Sequence, residues 1–184
     1  MDKATSIPLG VENLYDSQIK THFTGLFNLV TTCSSCSTVT TTILEFREIY
    51  LSVTNNIKES IEKYLNHQRN QTCNSCQQLA AHNCSLKLMQ SPKILIIILK
   101  RFDNSLRKIT RKIEGSEVLS LENYEFDLAS IITHLGTTIN SGHYINTIPS
   151  GTFCKIVSDM DIRKGKLKNQ FPEGYIYFYV KQGI

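Results

Sequence analysis

A chain of 184 residues, 41% hydrophobic and 20% charged, has the make-up of one soluble globular domain, or one domain in two lobes, large enough to bury a core without disulfides. Its net charge of +4 is mild, and the basic clusters Arg107-Lys108, Arg111-Lys112 and Arg163 to Lys168 read as solvated loops, so no nucleic-acid partner is expected. The longest unbroken apolar run, Ile94 to Leu99, is too short for a bilayer and Met1 to Ser6 lacks an apolar signal core, which excludes a membrane partner and makes an intracellular location, cytoplasmic or nuclear, the default.

In chain order, residues 1–22 read as a lead-in with a turn at Ile7-Pro8-Leu9-Gly10. From Phe23 the sequence alternates like a strand into Cys33. Thr38 to Phe46 is rich in β-branched residues and predicts a second strand, and Ile49, Leu51 and Val53 predict a third. Asn55 or Asn56 caps a predicted helix with Ile57, Ile61, Tyr64 and Leu65 on one face. Leu79 to Met89 alternates again. Ser91-Pro92 breaks the chain before Ile94 to Leu99, which has the length and β-branched content of a buried strand. Residues 103–122 read as a hairpin. Phe126, Leu128, Ile131 and Ile132 enter a strand that reaches His134. A loop over Thr137 to Gly142 leads to His143, and Gly174 to Val180 closes the chain as a strand. The whole is strand-rich with a minority of helix, and it carries no internal repeat.

Four of the six cysteines form two Cys-x-x-Cys pairs, Cys33/Cys36 and Cys73/Cys76, separated by thirty-six residues. Each such turn lets two thiolates converge on one ion, and two turns complete a tetrahedral sulfur site for zinc. With every position filled by protein, that zinc is structural, and a site of this kind contributes about 10–16 kcal/mol to folding. A redox pair is the competing reading, but it calls for a neighbouring βαβ pattern that the sequence lacks. Cys84 and Cys154 read as small buried hydrophobes.

Ser141-Gly142-His143-Tyr144 places a histidine after a Gly- and Ser-rich loop, where backbone can approach a substrate closely. Taken alone, such a histidine fits a structural role at a strand start as well as that of a general base.

The order of these features resembles the second half of the ubiquitin-specific protease family, papain-like thiol hydrolases that cut after the C-terminal glycine of ubiquitin. Phe126 to Gly136 followed by Ser141 to Tyr144 is similar to the family's histidine box. Pro92 to Phe102, ending Leu99-Lys100-Arg101-Phe102, resembles the strand before it, and Tyr175 to Tyr179 resembles the closing strand. The resemblance implies an α+β fold: a partial papain-like ubiquitin-specific protease fold of antiparallel-rich zinc fingers (residues 23–90) and palm (91–184), without the helical thumb. It makes His143 the general base, with Gly142 and Tyr144 lining the channel for the ubiquitin tail. Ser158 and Asp159 fall where the family has the polar residue that orients the imidazole. A serine there is a departure, since it accepts an N–H bond but brings no charge.

The family's nucleophilic cysteine precedes the first metal pair. Thirty-two residues precede Cys33 here, and none is cysteine. Neither Cys84 nor Cys154 sits at a helix start that would lower a thiol pKa. The expectation is therefore a domain of a thiol-dependent deubiquitinase that does not hydrolyse ubiquitin conjugates by itself, with the thumb half lost or supplied by a partner chain. The alternatives are a non-catalytic ubiquitin-binding zinc module and a zinc-ribbon nucleic-acid binder; scattered charge argues against the last.

Overall fold

The computed structural model describes residues 18–183; the predicted turn at Ile7 to Gly10 and the reading of Met1 to Ser6 lie outside the described residues. Two sheets carry the fold. Strands β1 (Gly25–Cys33), β2 (Val39–Phe46), β4 (Asn66–Thr72) and β5 (Leu79–Gln90) form an antiparallel sheet in the order β2-β1-β5-β4. Between β2 and β4 the chain leaves this sheet: β3 (Glu48–Leu51) pairs in parallel with β6 (Ile94–Leu99) in the second sheet, and helix α1 (Ile57–Leu65) brings it back. The second sheet adds β7 (Val118–Leu121), β8 (Tyr124–Thr138), β9 (Ser141–Ser150), β10 (Phe153–Ser158), β11 (Asp161–Lys166) and β12 (Gly174–Lys181), in the order β11-β10-β9-β8-β12-β6-β3, with β7 on β8. The α+β, mainly antiparallel character expected from the sequence is what the chain adopts.

Period-2 alternation decides what each sheet buries. In β1 the side chains of Phe27 and Leu29 turn inward, joining Leu86 and Leu88 of β5 and Ile57 and Ile61 of α1. That cluster runs without a break into Ile49, Leu51, Leu95, Ile97, Leu99, Ile131 and Tyr177 of the second sheet, so one core serves both. Phe27 and Phe46 stack at 4.3 Å and Phe27 meets Tyr64 at 6.1 Å, which ties α1 to the first sheet. The helix starts where predicted. The Asn56 side chain accepts the Glu59 N–H at 2.8 Å, while the Glu59 carboxylate reaches back to the Asn55 N–H at 3.2 Å.

Four local expectations change. Ile94 to Leu99 buries only alternate residues, because one face of β6 lies on the core and the other is half-exposed. β4, with the sequence Asn-His-Gln-Arg-Asn-Gln-Thr, has no apolar residue to signal a strand and forms because β5 offers it a ladder. Arg163 to Lys166, read as loop, pairs with β10 as the exposed end strand β11. Residues 103–122 form no single hairpin: a short antiparallel turn closes at the Phe102↔Lys108 bridge, 109–117 are irregular, and β7 turns tightly back onto β8.

What organises that irregular stretch is Arg101, which is fully buried. Its Nε donates to the Gly174 carbonyl at 2.6 Å, Nη1 to those of Ile109 (3.2 Å) and Arg111 (2.9 Å), and Nη2 to that of Pro172 at 2.8 Å. Burial lowers its pKa from the usual arginine value. One guanidinium thereby satisfies four carbonyls from two segments, residues 109–111 and 172–174.

Candidate active site and metal cluster

The histidine segment is a hairpin. β8 runs to Thr138 and β9 starts at Ser141, so the expected loop shrinks to Ile139-Asn140. The register passes from Thr138↔Ser141 to Leu135↔His143, which leaves one extra residue on β8 between these pairs. This bulge lies at Gly136, where a β-carbon would meet the Ser141 carbonyl oxygen at 2.5 Å. A bulge of this kind re-aims the side chains beside it. Here it sets the orientation of β9 at His143.

Val157↔Asn146 pairing puts Ser158, the last residue of β10, diagonally across from His143 on the same face. The His143 Nε2 and the Ser158 Oγ are 2.8 Å apart. Asp159, in the two-residue turn to β11 with φ of 51°, brings its Oδ2 to 3.8 Å from the same nitrogen. That is beyond hydrogen-bond reach, and with Asp159 82% exposed its charge acts through solvent. No described residue bonds Nδ1 of His143. The three residues singled out around this imidazole are therefore brought together, with the serine as the direct partner.

His134 lies beneath the hairpin, 2% exposed. Its ring is 4.9 Å from Tyr144 and 5.6 Å from Phe102, and Phe102 in turn meets Tyr175 edge-on at 5.9 Å. Desolvation, then the nearby Lys108 ammonium, lowers the His134 pKa below the ordinary histidine value. Its Nδ1 has no hydrogen-bond partner. Phe102, Tyr175 and Arg101 had no site role in the sequence reading. Their signal was the Leu-Lys-Arg-Phe end of β6 and the aromatic run of β12.

At the far end of the first sheet, the four predicted ligand cysteines come together, their sulfurs all within 4.8 Å of one another. Cys36 Sγ and Cys73 Sγ are 3.7 Å apart, too far for a disulfide and close to the ~3.8 Å edge of a tetrahedron with zinc–sulfur bonds of about 2.3 Å. The two turns are built alike. In each, the residue after the second cysteine, Ser37 or Gln77, takes positive φ (57° and 59°) and donates its N–H to the carbonyl of the first cysteine, at 3.0 and 2.8 Å. N–H groups of Cys76 and Ser75 aim at the Cys73 sulfur and lower its pKa to about 5, and the buried His82 adds to the effect. At Cys76 the Gln78 N–H favours the thiolate, but burial and the three neighbouring sulfurs push the pKa up to about 11. As thiolates, four sulfurs this close would need a cation between them, and the donor set fits a metal that prefers sulfur in tetrahedral array. Cys84 and Cys154 are buried, and burial raises the pKa of Cys154.

The sequence model of the ubiquitin carboxyl-terminal hydrolase family matches residues 10–179. The chain belongs to that family. Among curated members, ubiquitin carboxyl-terminal hydrolase 25 of Arabidopsis thaliana is 31% identical over 147 residues, 70% of this chain and 22% of its own length. Ubiquitin carboxyl-terminal hydrolase 17-like protein B of Mus musculus is 29% identical over 132 residues, 60% of this chain and 26% of its own. The chain thus spans about a quarter of the length of these ubiquitin carboxyl-terminal hydrolases. Among solved structures, the SAGA Ubp8/Sgf11/Sus1/Sgf73 DUB module bound to ubiquitin aldehyde matches with TM-score 0.76 at 22% identity, over 90% of this chain and 43% of that one. A yeast SAGA DUB module matches with TM-score 0.79, also at 22% identity, over 97% and 46%. The fold is accordingly that of part of a ubiquitin-specific protease domain. Among the described residues no helix is long and apolar enough to cross a membrane.

Proposed function

We propose that this chain is the finger-and-palm part of a thiol-dependent deubiquitinase, which hydrolyses the isopeptide bond after the C-terminal glycine of ubiquitin when a cysteine from outside these 184 residues is brought to His143. The observation that carries this reading is the bond between His143 Nε2 and Ser158 Oγ at 2.8 Å, which leaves Nδ1 free to face a thiol. In the proposed reaction Nδ1 takes the proton of the incoming cysteine and later returns it to the leaving amine. Ser158 accepts the Nε2–H bond and holds the tautomer, while the exposed Asp159 carboxylate lies 3.8 Å from the same nitrogen. Gly142 and Tyr144 line the path of the ubiquitin tail.

In this reading residues 23–90 are the fingers and 91–184 the palm, preceded by the lead-in 1–22, with β3 as the finger-segment strand that joins the palm sheet. Zinc held by Cys33, Cys36, Cys73 and Cys76 would supply no chemistry; it closes the finger tip. Free thiols and a thiolate metal site suit a reducing compartment, in keeping with action in the cytoplasm or nucleus.

Taken alone, the 184 residues are proposed to bind ubiquitin without cleaving it. Four cysteines are in the metal cluster, the other two are buried, and no described hydrogen bond joins a cysteine to His143. The same observation supports the second reading, a non-catalytic ubiquitin-binding module. Release of a fluorophore from the ubiquitin C-terminus, beside ubiquitin titration by NMR, tests the proposal. The expected result is binding that survives His143→Ala, with no turnover. Turnover abolished by His143→Ala would make Cys84 or Cys154 the nucleophile, and absence of ubiquitin binding would sink both readings.

A further inference from the structure

Residues 150–170 hold five of the chain's twenty basic residues and two of its sixteen acidic ones. The pairing of β10 with β11 fixes where three of these cations point. Phe153 lies opposite Lys166, Lys155 opposite Lys164 and Val157 opposite Ile162. On the other side of β10, Ile148 of β9 lies opposite Lys155. Residues directly opposite one another, and residues two apart along a strand, share a face. One face at the end of the second sheet therefore carries three lysines set among apolar side chains, and the residues that share it on β9, β10 and β11 include no carboxylate.

The charge on this face is unmet. Lys155 and Lys164 stand directly opposite one another, an arrangement that destabilises a strand pair. Among the described residues no carboxylate pairs with Lys155, Arg163, Lys164 or Lys166. Lys164 instead sets its Nζ 3.9 Å over the ring of Phe153. The face is also concave. A cavity of about 290 Å³ opens here, lined by Phe153 and Ile162 together with Lys155, Arg163 and Lys164. Ile148, Phe153 and Ile162 are all exposed, Ile162 by 69%.

We propose that this face of β9, β10 and β11 is a docking site for an acidic polypeptide segment, whose carboxylates meet Lys155, Lys164 and Lys166 and whose apolar side chain fills the cavity beside Phe153 and Ile162. Charge complementarity selects this occupant. A second copy of the chain would bring the same three ammonium groups against these. A phosphate backbone would satisfy the lysines but leave Ile148 and Ile162 without apolar contact, and the Phe153 ring, on which a base would stack, is already covered by Lys164. A bilayer surface is flat and does not fill a cavity, whereas an apolar side chain on an acidic segment does. The site is separate from the histidine. Successive residues of a strand face opposite ways, so Ser158, which bonds His143, points away from the side that Val157 shares with Lys155. An occupant therefore leaves the imidazole uncovered and acts as a tether for a target or a partner.

Fluorescence anisotropy with the zinc-loaded 184-residue chain tests this. The probe is a fluorescein-labelled peptide of glutamate with leucine at every third position. The expected result is binding that weakens as salt is raised and weakens again when alanine replaces the leucines. Lys155→Glu sets an opposite charge against Lys164, so the variant keeps its fold, with a thermal midpoint at or above that of the parent, while its affinity for the peptide falls by about fivefold or more. Lys87→Glu, on β5 of the other sheet, changes net charge equally and leaves the affinity nearly as it was. NMR titration should move the amides of Phe153, Ile162 and Lys164. Absence of peptide binding overturns the proposal, as does an equal loss in Lys155→Glu and Lys87→Glu, or a peptide that binds as well with alanine as with leucine. A DNA duplex or phosphatidylserine vesicles bound more tightly through the same lysines would overturn it too, and would assign the face to a nucleic acid or a membrane.

Discussion

Gly142 and His134 are packed so closely that a β-carbon on Gly142 would fall 2.1 Å from Nε2 of the imidazole. The glycine just before His143 is thus required by the ring beneath it, and the position of β9 is coupled to a buried histidine.

Gly142→Ala is expected to push His134 out of its place and cost about 1–3 kcal/mol, the usual range for overpacking. Urea unfolding reads the loss, and the His134–Tyr144 ring contact should disappear from NOE spectra. An alanine variant of unchanged stability would show that the ring yields at no cost.

His134 makes stability depend on pH. Its folded pKa is lowered, by desolvation first and by Lys108 second, so the unfolded chain takes up the proton more readily. The stabilisation is present above the unfolded value of about 6.5 and is lost as pH falls through the folded value. Denaturation midpoints should therefore decrease as pH drops below about 6.5, and His134→Gln should remove that part of the slope. Equal slopes for the two proteins would exclude His134 as the source.

Arg101 anchors residues 109–111 and 172–174 through four carbonyls. Arg101→Met leaves these acceptors buried without a donor, at 1–3 kcal/mol for each one that water cannot reach, so a total loss of at least about 3 kcal/mol is expected. Arg101→Lys should restore only part of this, since an ammonium cannot reproduce the planar fork. Thermal unfolding of the three proteins decides, and a lysine variant as stable as the parent would contradict the geometric argument.

Metal removal should act at one end of the molecule. The cysteine cluster packs with Ala80 in a small core of its own, apart from the main one. Chelation, or Cys73→Ser, is expected to release about one zinc per chain and to abolish amide protection in β1, β2, β4 and β5 near the cluster, while β6, β8 and β12 stay protected. Hydrogen exchange with mass spectrometry measures both regions at once. Protection lost evenly over the whole chain would mean that the metal holds the main core as well.

Much of this architecture was legible as pattern, because pattern is local physics. Alternation in β1, β5 and β8, the Asn56 cap, the doubled Cys-x-x-Cys and the aromatic run of β12 each report a residue's own neighbourhood, and each predicted the element or cluster found. The family, too, could be read from the order of its motifs. Tertiary structure decided what depends on a partner distant in the chain. β4 has no apolar signal and exists through its ladder to β5. The basic segment after Asp161 became a strand because β10 offered an edge. Arg101 became the post around which irregular backbone is tied, since only a folded chain brings the carbonyls of Ile109, Pro172 and Gly174 to one guanidinium. The bond from His143 to Ser158 required the register of β9 on β10, and that register rests on a core formed by side chains from both sheets. Hydrophobic period is written in the sequence; which hydrogen-bonding groups end up opposite one another is settled only when the sheets close.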